Sequence, residues 1–156
     1  MKALSLWEPW ASLVGTGAKR YETRHWSTSY RGPLLICAAK RRDRNSLELV
    51  DEQVFQDGLM PLLGNAPGLR VEIGDLRFGE AVAVVELVDC IPTGLLRRAD
   101  VLHEVHFGDF HPGGFAWKLE ALRTLPRGIE VKGSQGLFEV RDALVGEWSE
   151  RGIAQA

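Results

Sequence analysis

The chain has 156 residues, 45% hydrophobic and 26% charged, proportions that suit one globular domain with a core of its own. No apolar run approaches the roughly 18 residues that span a bilayer, and the opening MKALSLWEPW lacks a signal-peptide pattern. No membrane partner is therefore expected, and the expected setting is cytoplasmic. The formal charge of −2 argues against a uniformly basic polyanion binder. Its distribution says more: residues 1–44 hold nine Lys and Arg against three acids, a net of +6, which leaves −8 for the rest. A basic first third on an acidic body draws a polyanion locally, and it equally lets the two parts attract each other.

In chain order, residues 1–6 read as a short strand entering the core. Pro9 suits the first turn of a helix, where its missing N–H costs nothing, with Trp10, Leu13 and Val14 on one side. Gly15 and Gly17 stop that helix. Residues 19–26 read as extended, Arg31–Gly32–Pro33 as a turn, and residues 34–39 as a buried strand. Residues 41–63 carry the apolar spacing of an amphipathic helix through Leu47, Val50, Val54 and Leu59. Residues 64–79 are rich in Gly and Pro and predict a loop. Residues 79–91 give the strongest strand signal, with Glu86 alone among apolar neighbours until Asp89. A short helix over 93–106 follows, then a strand over 113–126, a stretch whose period would also support a helix. Two short strands, 129–131 and 137–140, are joined by the Lys132–Gly133–Ser134–Gln135–Gly136 turn, and a helix is expected over about 141–151. Short strands with helices at the ends predict an α+β domain built on a small, partly closed barrel.

Cys37 and Cys90 lie inside apolar runs, with no CxxC pair and no nearby histidine, and are expected to be buried thiols. His103, His106 and His111 cluster with Asp109, but zinc needs further organised ligands, so no metal and no cofactor are expected. The unusual stretch is residues 17–24, GAKRYETR, which sets three cations and a carboxylate just past a glycine-ended helix. On a strand, Arg20, Glu22 and Arg24 share one face and Tyr21 and Thr23 the other. Lys19 and Glu22 held together are a candidate acid–base pair; the plainer alternative is an ion-paired edge strand, where exposed pairs stabilise by about 0–1 kcal/mol. Glu86 should not be buried unpaired, and Lys19 is its expected partner.

Gly17, Lys19, Glu22 and Arg24 resemble the GxKxxExR signature of the ASCH domain, a relative of PUA domains. The resemblance extends to Glu8–Pro9–Trp10–Ala11, to Trp26–Ser27 with Tyr30–Arg31–Gly32–Pro33–Leu34, to Ala116–Trp117, and to Lys132–Gly133–Ser134–Gln135–Gly136–Leu137. It implies a small PUA-like β-barrel with flanking helices, one domain over residues 1–156. Its core would be 2–39 and 79–140, with an insertion over about 41–78. It also implies a cleft beside the first helix that binds RNA or a modified nucleoside.

Lys19, Arg24 and Arg31 would meet phosphate there, while Trp7 or Trp26 stacks on a base, worth about 1–3 kcal/mol per base. Trp10, Trp117 and Trp148 are more simply packing residues. Some small members of the family resemble amidohydrolases of N4-acylated cytidine, and Lys19 and Glu86 fit that arrangement. The nucleophile does not fit, because the third position after Lys19 holds Glu22 and Thr23 is one residue off. A water activated by Glu22 or Glu86, with Lys19 as the acid, is the remaining hydrolase reading. Weak ribonuclease activity and a protein-recruiting module without catalysis are the further alternatives.

Overall fold

The computed structural model describes residues 1–141. Six strands form one sheet: β1 (Lys2–Leu6), β2 (Tyr21–Arg24), β3 (Gly32–Ala38), β4 (Ala81–Pro92), β5 (Phe115–Thr124) and β6 (Leu137–Glu139), in the order β2-β5-β4-β3-β1-β6. β1 runs parallel to β3, and the other pairs are antiparallel. Register shifts at Ile36/Cys37, Val84/Glu86 and Leu87/Asp89 bend the long central strands, and the sheet curls into a half-barrel. β3 is buried without interruption from Leu34 to Ala38 because apolar clusters cover both of its faces. Leu34, Ile36, Val85, Leu87 and the fully buried Trp117 lie on the face that carries Val14; Ala3, Leu35, Cys37 and Leu125 fill the other.

The first helix, α1 (Trp10–Thr16), begins one residue later than the sequence suggests, with Pro9 at the capping position. It packs on β3 and β4. The long helix expected over 41–63 is broken into α2 (Arg44–Glu48), a 3₁₀ turn at Leu49–Asp51, α3 (Gln53–Leu59) and a 3₁₀ turn at Met60–Leu63. Glu52 is extended, which interrupts the helix. The Gln56 amide then donates to Val50 O (2.8 Å) and Val71 O (2.9 Å), pinning the break against the following loop. The apolar spacing is still used: Leu47, Val50 and Leu59 are buried, joined by Phe55, while Val54 is only half-buried.

Over 93–106 the chain forms a 3₁₀ turn, α4 (Arg98–Val101) and a second 3₁₀ stretch at Leu102–Phe107, in which Glu104 leaves helical geometry. Residues 129–131 do not pair with β6. Glu130 instead bridges to Glu80, and β6 joins β1. The helix expected over 141–151 and Trp148 lie outside the described residues.

Burial pushes the Cys37 thiol up to about 12; Cys90 is half-buried, and both are free. Among the described residues no helix is long and apolar enough to cross a membrane.

Candidate nucleic-acid interface

Gly17 ends α1 at a φ of 86°, a left-handed turn that a side chain would oppose. The turn sends Lys19 back under the helix, its N–H bonding to Leu13 O at 3.0 Å. The Lys19 ammonium is buried and donates to Tyr21 O (2.6 Å) and Phe107 O (2.7 Å), with Glu22 Oε2 at 3.4 Å. Glu22 Oε1 lies 3.2 Å from Arg24 Nε, and Arg24 Nη2 donates to Ser5 O at 3.3 Å. Lys19, Glu22 and Arg24 therefore form a chain of opposite charges that runs from the protein interior to one guanidinium. On the other face of β2, Thr23 Oγ1 accepts from the Asp109 N–H at 3.0 Å.

Arg24 opens into a cleft of about 1130 Å³. Trp7, Trp26, Phe78, Lys40 and Arg41 line it, along with the loop Lys132–Gly136, and Ser5 sits at its floor. Trp7 and Trp26 are 41% and 39% exposed, high for tryptophan in a folded chain. Trp26 is held edge-on against buried Trp117, with ring centroids 4.8 Å apart. The Arg41 guanidinium lies 4.7 Å over the Trp7 ring, and Arg42 lies 4.2 Å over Phe78. The ammonium groups of Lys40 and Lys132 have no hydrogen-bond or ion-pair partner among the described residues. Glu80, on the same wall, is already paired with buried Arg77 at 3.2 Å.

The family model described as ASCH domain matches residues 4–143. The chain belongs to the ASCH domain family. The chain is 37% identical to Activating signal cointegrator 1 of Mus musculus, and 36% identical to that of Homo sapiens, each over 89 residues, 56% of the chain. It spans only 14% of the length of either relative. A crystal structure of a mutant ZmASCH protein from Zymomonas mobilis superposes with a TM-score of 0.50 at 12% identity, covering 96% of both chains. That likeness is one of fold alone.

Within this ASCH domain the signature residues divide their work. Gly17 turns the chain, Lys19 and Glu22 are buried, and Arg24 alone reaches the cleft. Arg31 does not join them. Its guanidinium donates to Thr28 O (2.9 Å) and Tyr30 O (2.8 Å) and sits 3.8 Å from Asp89. The expected Lys19–Glu86 pair does not form. Glu86 alternates with Val85 and Leu87, which face the same core as α1, so it projects from the opposite side of the sheet. There it stands near Tyr30, whose phenol is pushed up by burial and then by the charge of Glu86.

Two buried acids escaped the sequence reading. Glu104 accepts the Arg20 N–H (2.9 Å) and the Tyr21 N–H (2.8 Å), fixing the start of β2. Glu8 accepts the Ser12 N–H (2.7 Å) and the Arg77 N–H (2.8 Å), while burial raises its carboxyl above the usual range. His111 pairs with Asp109 at 2.8 Å, and among the described residues no cluster of ligating side chains is arranged for a metal.

Gly133 shows how tightly the cleft loop is seated. A Cβ there would meet Ser5 Oγ at 2.4 Å, against a hydroxyl that is itself buried without a partner. Gly133→Ala is expected to cost about 1–3 kcal/mol in urea unfolding, the usual penalty of overpacking. Adding Ser5→Ala removes the clashing oxygen and should recover most of the loss.

Proposed function

We propose that this ASCH domain binds a nucleobase-bearing polyanion, RNA above all, in the cleft between Trp7 and the Lys132–Gly136 loop. The observation that carries the reading is the meeting of two exposed tryptophans with unneutralised cations in one hollow. Aromatic faces accept bases and free ammonium groups accept phosphates, which is the usual composition of a single-strand site. Arg24 sits between them, its orientation set from behind by Glu22 and Lys19.

The hydrolase reading draws less support from the same residues. The Lys19 ammonium is engaged by two carbonyls and Glu22, and Thr23 Oγ1 already accepts a backbone N–H. The Lys19 ammonium thus has no N–H to spare for a substrate.

Short single-stranded RNA is expected to quench tryptophan fluorescence, with an apparent affinity that falls as salt rises. Replacing both Lys40 and Lys132 by Ala removes two phosphate partners. The slope of log K against log salt should become shallower by about 1.4, at roughly 0.7 per phosphate contact on a single strand. A saturating signal whose salt slope is untouched in the double variant overturns this placement of the ligand.

A further inference from the structure

We infer that the ligand of this cleft is a chain of at least two nucleotides rather than a free nucleoside, with Arg42 on Phe78 as a second stacking step beside Trp7. The inference rests on the binding reading above and goes further, to the size and charge of what binds.

Three observations point the same way. The cleft, at about 1130 Å³, exceeds the ~300–1,000 Å³ that encloses a drug-sized molecule, and a single nucleoside would leave much of it empty. Consecutive residues Arg41 and Arg42 cap two different rings, Trp7 at 4.7 Å and Phe78 at 4.2 Å. A guanidinium plane is itself a surface on which a base can stack, so these are two separate planar, cationic platforms rather than one. Finally, Lys40, Lys132, Arg41 and Arg42 form no salt bridge among the described residues, although Arg41 feels the charge of Asp43. A nucleoside carries no phosphate and would leave the Lys40 and Lys132 charges uncompensated. A polynucleotide brings one anion per linkage, in the spacing that its bases also impose.

An acidic peptide would supply charge but no planar rings for the platforms, so it matches half of the surface.

Calorimetric titration at fixed low salt, with uridine 5′-monophosphate, a 5′-phosphorylated uridine dinucleotide and the tetranucleotide, tests the inference. The dinucleotide is expected to bind about tenfold tighter than the monophosphate, as one added stacked base allows. In Arg42→Ala the ratio of the two affinities should fall to about one or two. Arg42→Lys, which keeps the charge without the plane, should leave the ratio well below that of the wild type. Equal affinity for monophosphate and tetranucleotide overturns the inference while leaving the cleft as a nucleotide site. Hexaglutamate binding as tightly as the tetranucleotide overturns it too, since charge alone would then suffice. Failure of every probe to bind removes both the inference and the reading it rests on.

Discussion

Lys19→Met is expected to destabilise the domain by about 3–5 kcal/mol, the range found when one partner of a buried ion pair is removed. The Lys19 side chain is 1% exposed and that of Glu22 12%, so solvent cannot take over the lost contacts. Methionine fills most of the volume but leaves the carbonyls of Tyr21 and Phe107 without a donor. Glu22 keeps only Arg24 as a cation, and the guanidinium loses the rear support that orients it. Urea unfolding should show a lower midpoint with a similar slope. An unchanged midpoint would mean that Lys19 contributes nothing to the scaffold and would reopen its role as a reacting group. A Lys19 variant therefore confounds binding with folding. Lys40 and Lys132 are the better probes of the ligand site, because their ammonium groups hold nothing else in place.

Arg77→Lys should cost about 3 kcal/mol even though the charge is retained. The Arg77 guanidinium is buried, and it reaches Glu80 Oε2 (3.2 Å), Ala81 O (2.9 Å), Val82 O (3.4 Å), Leu125 O (2.8 Å) and Pro126 O (2.7 Å). A planar fork with five N–H donors suits such a set, whereas an ammonium offers three donors from one point. At least two of these acceptors are stranded in the variant, each at about 1–3 kcal/mol when buried. Burial lowers the Arg77 pKa, and Glu80 opposes the shift by hydrogen bond and charge. Thermal melts of the wild type and the variant at neutral pH check the prediction. The loss should exceed that of the exposed control Arg44→Lys, whose pair with Glu48 lies in solvent.

The strands were legible because apolar runs are a local signal. Residues 34–38 and 81–87 announce a buried sheet whatever surrounds them. The helix ended by Gly17 and the Lys19–Glu22–Arg24 spacing were equally local, and the family resemblance extended them to a fold. The break at Glu52 was not legible, since it depends on Gln56 reaching a loop 15 residues further on. Glu104 was hidden for the same reason: its partners are main-chain N–H groups more than 80 residues away, which leave no spacing to read. Glu86 is a different case. Strand alternation alone opposes it to Val85 and Leu87, whereas a lone acid in an apolar run suggests a buried partner. The cleft itself joins Trp7, Lys40 and Lys132 from distant parts of the chain, so no single stretch could show it.

Both banks of the cleft hang from Gly79 and Glu80. Gly79 donates to Ala38 O (2.9 Å) and accepts from the Val131 N–H (3.0 Å), while Glu80 O accepts from the Ala38 N–H (2.8 Å). The segment bearing Lys40 and the segment bearing Lys132 are thus stitched by main-chain bonds to one shared hem. Spreading them would break several of these bonds at once, so the trough keeps its width whether or not it is filled. The ordering cost of complex formation then falls on the incoming strand, and arrival should be governed by encounter and charge rather than by any hinge in the protein.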